Sequence, residues 1–370
     1  MKHMNFRVQK YLLIYPDCIP VKGYLKSTLC DFTRNKIVSF DSSFFDLFQE
    51  FNSKNLVDLY KDFHEDSHEN LNTFINFLLE NGFGEIVDDI NNFKEINIGG
   101  WEAYGTIDNA IIDVENLKHD FDKLITQLNF LKCKFLQIRF YSTIYSLDEI
   151  NTILKMAEDT SIEGIEIILK YDKLYREADY ISFFEENFLI SALYIFGFSE
   201  KKDVSVTYGF NGKITDKFVQ SKVFFLDQNL INEAHCGIID KSYFCVNTIS
   251  DFSHNKLYNS CLNKKISIDR KGNIKNCPSL SISYGNIRDL NLWDVIDSEF
   301  MKIWNIKKDD IDICKICEYR YVCTDCRAFL KKPSNIYSQP LKCGYNPYEN
   351  KWEDWKATIH ESVLTYYGIL

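Results

Sequence analysis

Apolar residues near the start of the chain fall in short extended runs at 11–15, 27–32 and 36–40. The first two are separated by a turn-rich stretch from Pro16 to Gly23, the last two by Arg34 and Asn35, which predicts a meander or hairpin. The period then changes. Ser42 or Ser43 can cap a helix carrying Phe44, Leu47, Phe48 and Phe51 on one face. A short helix over 56–63 follows. A longer one puts Leu71, Phe74, Ile75, Leu78 and Leu79 on one stripe and ends at Asn81-Gly82. Three strands followed by three helices is the layout of a winged helix, so residues 1–90 are expected to form a small winged-helix unit.

From residue 97 to about 246, strand and helix patterns alternate. Strands are expected at 110–114, 135–140, 162–169 and 189–196, with further ones at 204–208 and 223–226. Helices are expected over 120–131, 146–158 and 175–186. This alternation argues for an α/β fold, with parallel strands in a layer or partial barrel over residues 91–250. Past Cys245 the pattern weakens. One strand (265–268), one helix (292–304), turn residues and cysteines make up residues 251–350. An aromatic, partly amphipathic tail, residues 351–370, is expected to pack on the body of the protein. A segment with so little apolar periodicity needs a staple, and bound metal would supply one.

At 45% hydrophobic and 15% aromatic, the 370 residues can bury several cores. The 43 basic and 53 acidic residues give a charge of −10 with no Lys/Arg cluster, which argues against nucleic acid as a partner. No run approaches the roughly 20 apolar residues of a membrane helix, and the first residues lack a signal-peptide core. A soluble, cytoplasmic protein is expected, with no membrane partner. Two motif-like strings carry little. HEDSH at 64–68 fits H-E-x-x-H but lies between two helices, where Asp66 and Ser67 read as a cap. YGFNGK at 208–213 lacks the first glycine and the Ser/Thr of a phosphate loop and reads as an Asn-Gly turn.

Twelve cysteines change the picture. Cys18, Cys30, Cys133, Cys236 and Cys245 are scattered, whereas seven lie between Cys261 and Cys343. A reducing cytoplasm does not keep structural disulfides, so such a concentration points to metal or redox work. Cys261 and Cys277 flank an expected hairpin whose turn at 270–273 brings both thiols to one end. Cys314 and Cys317, then Cys323 and Cys326, form two C-x-x-C pairs joined by five residues, and Cys343 stands seventeen beyond. Zinc sites use this local spacing. Seven thiols, however, do not divide into complete Cys₄ sites. Iron–sulfur centres fit better, one taking four thiolates and the other three plus a non-cysteine or open position.

The order C-x(10)-G-x(4)-C, C-x(2)-C-x(5)-C-x(2)-C and a last cysteine resembles the SPASM domain of radical-SAM peptide-modifying enzymes. That resemblance implies two auxiliary [4Fe–4S] clusters. Cys314, Cys317, Cys323 and Cys343 would hold one; Cys261, Cys277 and Cys326 would hold the other, with His254 or Cys245 as upstream candidates for its fourth ligand. One departure is that Thr324-Asp325 gives two residues in the final pair where the family has three. A second is larger. Radical-SAM chemistry needs C-x(3)-C-x(2)-C, and no two cysteines here are four positions apart. The middle region thus resembles a radical-SAM barrel without its catalytic cluster, and no use of S-adenosylmethionine is expected.

Near full-length likeness rests on DCIPVKG at 17–23, NCPS at 276–279, CKICEYRYVCTDCR at 314–327 and PLKCGYNP at 340–347. These strings resemble the SPASM-domain peptide maturases of grasp-with-spasm systems. The family implies a precursor peptide and an ATP-grasp ligase as partners, with residues 1–90 recognising the leader as an added strand. Whether such a chain is a catalyst or a scaffold stays open: a redox enzyme acting on the peptide at an auxiliary cluster, or a structural zinc adaptor, are the alternatives.

Overall fold

The computed structural model describes residues 9–91, 93, 96, 98–100, 104–207, 220–230, 233–246 and 248–369. The Asn-Gly turn expected at 208–213 lies outside them.

The chain begins with β1 (Tyr11–Ile14), β2 (Cys18–Val21), β3 (Lys26–Asp31) and β4 (Lys36–Asp41). The stretch read as turn-rich holds β2, paired antiparallel with β3. Pro20 obscures this strand in the sequence, yet it is tolerated because β2 is the edge of the three-stranded sheet β2-β3-β4. Helices α1 (Leu47–Phe51), α2 (Leu56–Lys61) and α3 (His68–Glu80) follow, and then β5 (Gly84–Val87), which returns to pair with β1. Leu71, Phe74, Ile75 and Leu78 of α3 are buried with Leu12, Leu29, Phe48 and Phe51 in one core. Gly82, at φ +69, makes the left-handed step that ends α3.

The next unit alternates as its periodicity requires: β6 (Asn109–Val114), α4 (Phe121–Phe130), β7 (Phe135–Phe140), α5 (Leu147–Ala157), β8 (Gly164–Lys170), α6 (Glu177–Glu185), β9 (Ile190–Phe196), β10 (Lys202–Thr207) and β11 (Gln220–Leu226). Beyond α7 (Ile249–Leu257) come β12 (Lys265–Ile268) and β13 (Ile274–Lys275). These eight strands form one mostly parallel sheet in the order β10-β11-β9-β8-β7-β6-β12-β13. The architecture is α/β. The hairpin between Cys261 and Cys277 does not stand apart from it, because β12 pairs parallel with β6. Ile112, Ile138, Ile167, Leu193 and Ile266 are all buried in one core with helix residues such as Leu124 and Leu154.

The helix expected over 292–304 is broken. A 3₁₀ turn at Leu292–Val295 gives way to α8 (Ser298–Lys302) because Asp297 is extended and caps the Phe300 amide at 2.9 Å. The short hairpin β14 (Tyr345–Asn346) with β15 (Lys351–Trp352) precedes α9 (Glu361–Tyr366). The tail packs inward: Trp355, Ile359, Val363 and Tyr367 lie against Cys326, Phe329 and Leu341. Among the described residues no helix is long and apolar enough to cross a membrane.

Candidate functional site

All twelve cysteines are free thiols. Seven of them, with one more, gather in two groups. The first is built from consecutive tight turns. Cys317 donates its amide to the Cys314 carbonyl at 2.9 Å, Val322 does so to Tyr319 at 3.1 Å, and Ile313 takes a left-handed φ of +67 to start the loop. Cys343 comes from the other side, held by a bridge to Ile239. Cys314, Cys317, Cys323 and Cys343 thereby line one small cavity of about 20 Å³, walled also by Ile239, Phe244, Tyr319, Tyr345 and Trp352. Burial pushes Cys314 up to about 12 and Cys323 up to about 11, and Cys317 well above the ordinary thiol range. Neighbouring sulfurs add to this: a charge on Cys343 disfavours ionisation of both Cys314 and Cys323.

Nitrogen donors point at these sulfurs. Lys308 Nζ lies 3.6 Å from Cys323 Sγ and Gln339 Nε2 lies 3.5 Å from Cys343 Sγ. Lys308 is buried with Asp325, 3.3 Å away. Burial opposes its charge, but Cys323 and Asp325 outweigh that and hold its pKa above the usual lysine value. Asp325 also accepts from Arg327 and from Asn259 Nδ2, the latter at 2.7 Å. Asn259 in turn caps the turn at Cys261, accepting from the Cys261 amide at 3.1 Å and the Leu262 amide at 2.9 Å. One buried aspartate thus ties the two groups together.

The second group comprises Cys261, Cys277, Cys326 and Cys236. Burial pushes Cys326 up to about 12, and charges on Cys261 and Cys277 push in the same direction. Cys277 rises to about 11 through burial first, then through Cys261 and Cys236. Lys265 Nζ stands 3.5 Å from Cys261 Sγ. An open groove of about 450 Å³ runs beside this group, walled by Ala234, Ser279, Ala328, Phe329 and Tyr366. The sequence reading did not place Cys236 here, since it has no cysteine at motif spacing. Of the two upstream candidates, Cys245 is exposed, and His254 sits between Asn255 Oδ1 at 3.2 Å and Asn263 Oδ1 at 3.3 Å.

Among the described residues no three His, Cys, Asp or Glu side chains are close enough together to hold a metal ion. The H-E-x-x-H string does not build a site either. His64 precedes the helix and pairs with Asp66 at 3.2 Å, whereas His68 Nε2 faces the Tyr60 and Phe63 carbonyls at 2.9 and 3.1 Å.

The N-terminal sheet is bonded directly to the first cysteine loop. Thr28 Oγ1 donates to the Glu318 carbonyl at 2.8 Å, the Tyr24 amide to the Ile316 carbonyl at 2.9 Å, and Arg320 to the Lys22 carbonyl. Gly23 permits the approach, because a Cβ there would stand 2.8 Å from Glu318 Cβ and 2.0 Å from the Lys26 carbonyl oxygen. No protein-family model matches the chain, and no curated protein matches it significantly.

Proposed function

We propose that this chain is an iron–sulfur maturase of ribosomally made peptides, of the SPASM type, working with a precursor peptide and an ATP-grasp ligase. The observation that carries the reading is the first thiol group: four cysteines lining one small cavity, with amine and amide donors aimed at their sulfurs. Hydrogen bonds to the sulfurs of a [4Fe–4S] cluster set its potential.

Cys314, Cys317, Cys323 and Cys343 would hold one cluster, and the second group would hold the other. When bound, such clusters supply one-electron storage and transfer. The chain's own residues exclude water through Phe244, Tyr319, Tyr345 and Trp352 and offset thiolate charge through Lys308. The winged-helix reading of the first 90 residues and the radical-SAM-like reading of the sheet belong to this proposal. Under it, a precursor leader adds to the N-terminal sheet beside the first cysteine loop, and the core peptide lies along the groove past the second group. That groove and the exposed Cys236 thiol, two residues from Ala234 in its wall, favour, as a second reading, direct redox action on the peptide at this centre.

Air-free purification with iron, sulfide and zinc analysis tests the proposal. About eight irons and matching sulfide per chain are expected for two clusters. Zinc without iron overturns it.

A further inference from the structure

We infer that Cys236 is the fourth thiolate of the second cluster, which would make that centre fully ligated by cysteine. The inference rests on the cluster reading above and names a ligand within it. Its basis is the position of residues 234–239, which the sequence leaves without a motif.

That segment is held against the site from two sides. Lys342, next to Cys343, donates its ammonium to the Cys236 carbonyl at 2.5 Å and to the Ala234 carbonyl. Ile239 forms a parallel bridge to Cys343. Between these anchors, Gly237 takes φ +84, and a Cβ on it would stand 2.9 Å from Cys326 Sγ. Only a glycine allows the backbone beside Cys236 to touch the sulfur of the third ligand. Lys265 Nζ, 3.5 Å from Cys261 Sγ, and Lys342, clamped on the Cys236 carbonyl, bring two ammonium groups to the same site. Two lysines facing four thiols suit a site whose ligands are anionic.

The four ligands differ in exposure. Cys326 is buried, Cys261 and Cys277 are half-buried, and Cys236 is exposed. Cys236 is therefore the ligand nearest solvent, on the segment that brings Ala234 to the wall of the groove.

The full-length chain, purified air-free with both clusters, is compared with Cys236→Ala and Cys245→Ala. Iron per chain and the electron paramagnetic resonance spectrum are recorded before and after mild oxidation by ferricyanide. Cys236→Ala is expected to lose about one of roughly eight irons on oxidation and to show a [3Fe–4S] signal, or to lose that cluster's iron altogether. Cys245→Ala is expected to match the parent. The assignment is overturned if Cys236→Ala keeps the parent's iron and shows no [3Fe–4S] signal, or if Cys245→Ala shows it instead. Cys236→Asp, which keeps an anionic ligand, is expected to restore the iron count and separates ligand loss from misfolding. A parent chain that binds no iron would overturn the cluster reading itself, a result distinct from any variant's.

Discussion

Lys308 shows how a single side chain can set the character of the first centre. Its ammonium is buried, contacts Cys323 Sγ at 3.6 Å and the Thr324 carbonyl at 3.1 Å, and shares Asp325 with Arg327. A fixed positive charge beside a cluster favours the state carrying one more electron. Lys308→Met keeps the apolar stem and removes the charge, while Asp325 retains Arg327. If this group holds a cluster as proposed, that cluster's midpoint potential should fall by on the order of 60 mV, a tenfold change in the one-electron equilibrium. Redox titration followed by electron paramagnetic resonance reads it, and two unmoved potentials would show that Lys308 does not act on a cluster.

At the scale of elements, the sheet carries charge on the face its helices leave. Ile112, Ile138 and Ile167 point into the helix-covered core, so their neighbours Asp113, Arg139 and Glu166 point the other way. Asp113 on β6 and Arg139 on β7 are paired in register and form a bidentate pair at 2.5 and 2.8 Å. Both are buried, so Arg139→Met would break a buried charge pair, a loss of about 3–5 kcal/mol in urea unfolding. Replacing Asp113 by Asn as well should recover much of it. A single substitution costing under about 1 kcal/mol would mean the pair does not hold β6 to β7. The elements around it were readable because β6 to β9 are apolar runs separated by helices with stripes and caps, such as Ser146 with Glu149 on α5. Strand β2 was not, because Pro20 and its flanks look like a turn until β3 pairs with them. The break before α8 was hidden because Asp297 reads as an ordinary surface residue in a helical pattern. Among the cysteines, the seven at local spacing were legible. Cys236 was not, because only a backbone bridge and the Lys342 clamp, formed in three dimensions, bring it near Cys326.

Over the whole molecule, three thiols outside both groups connect pH to folding. Cys18 and Cys30 lie in the N-terminal unit and Cys133 in the sheet core, and burial pushes each up to about 12 from an ordinary 9.0. Above pH 9 the unfolded chain gives up these protons while the folded one keeps them. Stability from this source is therefore complete below pH 9 and lost as pH climbs through 12, each thiol contributing a slope of up to about 1.36 kcal/mol per pH unit. At the acid end His119 acts in the opposite sense. Burial lowers its pKa below 6.5, so its contribution is present above 6.5 and lost as protons bind the unfolded chain more tightly below that. Because the N-terminal sheet is bonded to the first cysteine loop through Thr28, Tyr24 and Arg320, alkaline loosening of the first unit should carry into that loop. Urea midpoints taken from pH 7 to 11 should fall steepest above 9, and Cys133→Ala should remove about one thiol's share of that slope while lowering stability at neutral pH through the cavity it leaves. An unchanged slope in that variant would mean that the sulfur resting 3.4 Å from the Phe135 carbonyl is not what holds the sheet core against alkali.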